Sequence, residues 1–225
     1  MTDPTTRTAC RIAGASLLLA FVILAFSTFA LLDPILSDDA EATARSILAN
    51  EATFRLGMIG NLLYGIGQVA FAAALFFVLQ RADRTLAALA SAFRLAWAFT
   101  SIVVVLDFVT VLRILEDPAV AASFGDRTAV IAALELPGYD VYYVGLPFWA
   151  VSATVMSWAL YRGRLVPRWL ALFGVVSAAW CVLCSIGHFI EPGFVNLWAY
   201  DTALALFELV LGGWLIVWGV RAETV

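Results

Sequence analysis

The chain has 225 residues, of which 63% are hydrophobic and 13% charged, with a formal net charge of −4. An ordinary soluble domain carries roughly 45 to 50% apolar and about 25% charged residues, so this composition cannot supply a water-facing surface. It excludes a soluble enzyme, a disordered chain and a nucleic-acid binder, and it points to a polytopic membrane protein.

Four uncharged runs, residues 12–32, 56–80, 141–161 and 169–190, are each long enough to cross a bilayer as a helix. The first follows Arg7 and Arg11, as a secretory signal would, but it is about twice the usual signal core and has no Ala-x-Ala ending. We read it as a retained span. Two further runs carry charge: 85–115 holds Arg94 and Asp107, and 198–220 holds Glu208. A central charge costs about 2.5 to 3.5 kcal/mol on insertion, which many Leu, Ile, Val and Phe residues at about −0.3 to −0.6 kcal/mol each offset. The expected fold is therefore an all-α, six-helix membrane bundle forming one domain over 1–225. Its spans lie near 12–32, 57–80, 86–114, 140–161, 168–190 and 198–220.

The connections add detail. After the first span, Asp38 and Asp39 are cap residues, and Ala44, Ile47, Leu48 and Phe54 recur at helical spacing, so a surface helix is expected over 39–54. The segment 116–140, with Gly125, Pro137 and Gly138, is the longest outer connection and a candidate lid. Pro147 should kink the fourth span, and Pro167 suits the first turn of the fifth.

All thirteen basic residues are Arg, and with the N-terminus inside eight of them fall on inner segments against four on outer ones. That bias puts both termini in the cytoplasm of a multi-pass protein of the plasma (inner) membrane. No cluster of like charge is large enough to suggest a nucleic acid or a polybasic lipid patch. Cys10, Cys181 and Cys184 are an odd number, two of them inside an apolar run, so no disulfide framework is indicated.

An ionisable group at membrane depth must be neutralised, paired or hydrated. Glu208 shares a helical face with Asp201 and Gly212, which should point inward. It reads either as a proton, cation or ligand site, or as a structural group that is protonated or paired to an Arg. For Asp107 the expectation is an outer-leaflet ion pair with Arg55, or with Arg113, and for Arg94 it is a snorkelling anchor near the inner end of its helix. Gly57, Asn61, Gly65 and Gln68 form a small and polar stripe suited to close packing, with the amides bonding across to a neighbour; the rival is a polar cavity wall shared with Glu208.

Cys181, Cys184 and His188 have a metal-like spacing. Positions seven apart rise about 10.5 Å along a helix, however, too far for one tetrahedral ion. Cys184 and His188 would supply only two ligands, so no metal is expected, and no cofactor motif is present. His188 reads as a satisfied interfacial histidine with a pH-sensing rival. Tyr139, Tyr142, Tyr143, Trp169, Trp198, Tyr200 and Trp218 suit interfacial belts.

The order "RIAGASLLLAF", "ANEATFRLG", "LAALASAFRLAWA", "GRLVPRWLALFGVVSA" and "FELVLGGWLIVWG" resembles the bacterial membrane proteins grouped as domain of unknown function 4386, over nearly the whole chain. Val166, Pro167 and Arg168 stand where that family commonly has Leu-Pro-Arg. The resemblance implies a six-helix integral membrane protein with no established activity, and it draws attention to Arg55, Arg94 and Glu208.

Three functional classes follow. One is a membrane-embedded protein that binds or transports a small solute, ion or lipid, with Glu208 supported by Asn61, Gln68 and Asp107 and with Arg55 and Arg94 as further candidates. Another is a non-catalytic accessory or regulatory protein that acts on a membrane protein partner from within the bilayer. The third is a lipid-modifying enzyme with a carboxylate as base, which lacks a second catalytic group in the sequence.

Overall fold

The computed structural model describes residues 4–37, 39–125, 130–131, 139–191 and 200–221, and among these every regular element is helical. Helix α1 (Pro4–Ala25) begins well before the expected span and continues as a π-helical stretch over Phe26–Leu32. In that stretch the wider turn shows in the Asp33 N–H, which donates to the Thr28 carbonyl at 2.8 Å. Helix α2 (Ala40–Ala49) is capped by Asp39, whose Oδ1 accepts from the N–H of Glu41 at 2.8 Å and of Ala42 at 3.3 Å. Asp38, the other expected cap, lies outside the described residues.

Helices α3 (Glu51–Leu79) and α4 (Arg84–Glu116) follow. Asp83 caps α4 by accepting from the N–H of Thr85 and Leu86. A short helix α5 (Pro118–Phe124) is capped by Asp117 and occupies part of the expected lid; Pro137 and Gly138 lie outside the described residues. Helices α6 (Tyr139–Arg162), which contains Pro147, α7 (Arg168–Ile190) and α8 (Thr202–Val217) complete the order. Pro167 occupies the cap position of α7, one residue ahead of the first turn.

Five helical segments are long and apolar enough to cross a membrane: Pro4–Leu32, Glu51–Leu79, Arg84–Glu116, Val141–Arg162 and Arg168–Ile190. The shorter apolar helix Thr202–Val217 has 16 residues, a rise of about 24 Å against a hydrocarbon core of about 30 Å. Large apolar side chains such as Phe29, Val176, Leu183 and Ile190 stand exposed on these helices. In water that would be an aggregating surface; in lipid it is the expected exterior. The chain is thus a multi-pass membrane protein.

The helices group into two compact units. One comprises Met1–Leu19, Ile66–Ala98 and Tyr143–Val225. Here small residues bring helices together. A Cβ placed on Gly14 of α1 would lie 2.5 Å from the Gly212 carbonyl oxygen and 2.7 Å from Ile216 Cγ1 of α8, so only glycine permits that approach. Serine hydroxyls bond across helices: Ser91 donates to the Ala72 carbonyl at 3.0 Å, and Ser152 to the Ala90 carbonyl at 2.7 Å. The rings of Phe173 and Phe207 meet edge-on between α7 and α8, with centroids 6.1 Å apart.

The other unit comprises Ala20–Gly65 and Phe99–Tyr142. Its core gathers Leu32, Ile35, Ala44, Ile47, Phe54, Phe108, Val111, Leu112 and Ile131, with Phe54 edge-on to Phe108 at 5.2 Å. The expected surface helix over 39–54 divides at Asn50, where the backbone leaves helical geometry, so Phe54 belongs to α3. Ala44 and Ile47 are the face of α2 that packs into this core, while Leu48 is 47% exposed.

Substituting Gly14→Val should force α1 and α8 apart and cost about 1 to 3 kcal/mol, as core overpacking does. Gly213→Ala, where a Cβ meets nothing within 4 Å, should leave the melting temperature of the detergent-solubilised protein unchanged or slightly raised. Equal melting of the Gly14→Val variant and the parent would refute the close approach.

Candidate functional site

Four helices of the first unit converge on one charged cluster. Arg94, on α4, is 1% exposed, and Glu208, on α8, is 6% exposed. Arg94 Nη1 donates to Glu208 Oε1 at 2.6 Å and Nη2 to Oε2 at 2.9 Å, a bidentate pair. Arg94 Nε donates to Gln68 Oε1 of α3 at 2.7 Å, and the indole Nε1 of Trp149, on α6, donates to Glu208 Oε1 at 2.7 Å. The guanidinium carbon lies 4.6 Å from the centre of the Phe71 ring, within cation–π range. Trp97 stacks on Trp149 with centroids 5.6 Å apart, which fixes the indole that bonds the carboxylate.

The local sequence explains the convergence. Gln68 and Phe71 are three apart on α3 and so share a face. Ser91 and Ser152 bind neighbouring backbones within a turn of Arg94 and Trp149, and this holds the three helices in register around the pair. A carboxylate accepting three donors, two of them from a cation, is neutralised where it stands. Withdrawal of Arg94 from it would leave a buried charge without a partner.

The structure brings together only part of the candidate set. Glu208, Arg94 and Gln68 form the cluster. Arg94 does not snorkel: it lies ten residues into α4, about 15 Å from the helix start, and its guanidinium is buried on Glu208. Asn61 and Asp107 belong to the second unit. The Asn61 amide is buried but donates to the Gly57 carbonyl of its own helix at 3.2 Å, so Gln68 alone of the two stripe amides bonds across to a neighbour.

Arg55 does not pair with Asp107. It is half-exposed and donates to Glu51 at 2.7 Å and to Glu116 at 2.5 Å, tying the start of α3 to the end of α4. Those two acids sit at the helix ends, level with Arg55, whereas Asp107 is more than two turns deeper on α4. Arg113 is exposed and makes no ion pair with Asp107 either, so the expected outer-leaflet pair is absent among the described residues.

Two contributors went unnoticed in the sequence. Trp149 was legible as an indole inside an apolar span, whose N–H needs an acceptor. Phe71 carried no signal, being one of many aromatics in that run. His188 packs its ring against Tyr143 with centroids 4.4 Å apart, and its Nδ1 is buried with no hydrogen-bond partner among the described residues. All three cysteines are free thiols. No group of three or more His, Cys, Asp or Glu gathers among the described residues.

The family model named "Domain of unknown function (DUF4386)" matches residues 12–219. The match covers most of the chain, which therefore belongs to that family. Neither the curated proteins nor the solved structures contain a match.

Removing one partner of the buried pair, by Arg94→Met or Glu208→Met, should destabilise the protein by about 3 to 5 kcal/mol. The double variant Arg94→Met with Glu208→Met should recover part of that loss, which a double-mutant cycle on melting midpoints would measure. Additive losses would mean that the two side chains do not interact.

Proposed function

We propose that this chain is a six-span protein of the bacterial plasma membrane, with both termini in the cytoplasm, that works as a non-catalytic accessory protein on a membrane partner. The observation that carries this reading is the complete engagement of Glu208 by Arg94 and Trp149, with both ionic partners buried. A carrier or an enzyme built on Glu208 needs a carboxylate that substrate can reach, and here the carboxylate serves as a clasp between α4 and α8. What remains available for recognition is the apolar exterior. α8, with its flanks, is the sixth span in this reading, because an apolar 16-residue helix can cross when the bilayer thins or its ends are extended.

One observation supports the binding or transport reading as second. Asp107 is half-buried at membrane depth and has no ion-pair partner among the described residues, and an intramembrane acid of that kind is a ligand or proton site by default. In this alternative Asp107 is the binding group, with Asn61 of the same unit as a neutral contributor.

Topology is tested by introducing single cysteines into a cysteine-free background. Arg45→Cys should react with a membrane-impermeant maleimide added outside intact cells, and Arg164→Cys only after lysis. The reverse pattern would overturn the orientation. Photo-crosslinkers at Val176 and Leu183 should give a discrete protein adduct. Absence of any adduct, together with a proton or cation flux in proteoliposomes that Asp107→Asn abolishes, would replace the accessory reading with the transport one.

A further inference from the structure

A cavity of about 240 Å³ opens where the start of α1 meets the end of α8, lined by Thr6, Arg7, Cys10, Arg11 and residues 215–220. It lies wholly within the first unit and shares no residue with the Arg94 and Glu208 cluster. Thr6 and Cys10 are buried, whereas Arg7 and Arg11 are exposed at the opening. These two guanidinium groups are one helical turn apart, a spacing at which like charges repel. Neither has a carboxylate partner among the described residues. The first turn of α1 adds its own positive potential.

The opposite wall has complementary chemistry. The last carbonyls of a helix lack partners within it. At the end of α8, the N–H groups of Trp218 and Gly219 both go to Trp214, so the carbonyls of Leu215 and Ile216 are without backbone donors among the described residues. Gly219, at φ +67°, turns the chain back along Cys10. One wall therefore offers paired cations and the other offers acceptors. Trp218 and Val217, both largely exposed beside the opening, and Ile12 on α1 give an apolar margin.

We propose that this cavity binds the headgroup of an anionic glycerophospholipid. The phosphate is held by the planar forks of Arg7 and Arg11, headgroup hydroxyls donate to the carbonyls at the end of α8, and the acyl chains lie along Ile12 and Val217. Arg suits the phosphate because its fork matches two oxygens at once. Trp218 suits the depth because an indole favours the headgroup level. An isolated inorganic phosphate would share the cationic wall but leave the acceptors and the apolar margin unused.

The test is native mass spectrometry of the full chain in detergent, offered phosphatidylglycerol, phosphatidylcholine or inorganic phosphate. The expected result is retention of one phosphatidylglycerol, with about tenfold weaker retention for Arg7→Gln with Arg11→Gln and no change for Arg84→Gln, an exposed arginine outside the cavity. Equal retention of the two lipids, or a loss in Arg84→Gln as large as in the double variant, would overturn the site. Displacement of the lipid by inorganic phosphate at equal concentration would overturn the lipid as its occupant. If the double variant fails to fold, wild-type protein in phosphatidylglycerol with brominated chains should show tryptophan quenching that Trp218→Phe reduces; quenching unchanged in Trp218→Phe would count against the proposal.

Discussion

A guanidinium and a carboxylate placed within apolar helices have few stable arrangements. Each alone would bear a large desolvation penalty, and the penalty is offset only when the two meet with good geometry and their remaining hydrogen-bonding groups are satisfied. Arg94 and Glu208 meet on two parallel hydrogen bonds, with Gln68 and Trp149 completing the shell. Because those four residues lie on α3, α4, α6 and α8, this one electrostatic requirement fixes the mutual register of four helices. The smaller contacts of the first unit, the serine bonds and the glycine approach at Gly14, hold what the pair specifies.

This arrangement also governs which chemistry is open to the protein. A buried acid is often the first suspect for proton or cation handling, but its availability depends on what already occupies its oxygens. With Glu208 engaged, the site that invites a solute in the sequence becomes an interhelical clasp. Attention then moves to groups that lack such partners. Asp107 lies at membrane depth, and Arg7 with Arg11 borders a cavity at the end of the helices.

The membrane class and most of the helices were legible from local properties. Apolar runs set the spans, Asp39 marks a helix start by accepting from free backbone N–H groups, and the Gly57, Asn61, Gly65 and Gln68 stripe is buried as its period implies. Family membership was also legible, and the family model matches residues 12–219. Less local features were not. The π-helical stretch at Phe26–Leu32 has no compositional marker, and the break at Asn50 separates two helices whose apolar spacing runs on continuously.

By itself the sequence determined that the chain enters a bilayer, where its helices run and that Glu208 points inward, because hydrophobic length and 3.6-residue periodicity are properties of single segments. It left two fates for Glu208 and sent Arg94 toward water, because an ion pair 114 residues apart in the chain leaves no trace in either segment. Only the tertiary structure decided that pairing, gave Arg55 to Glu116 instead of Asp107, and drew Arg7 and Arg11 to the end of α8. Each of these depends on which helix lies beside which, and that is set by packing among distant segments and not by the local period of any one of them.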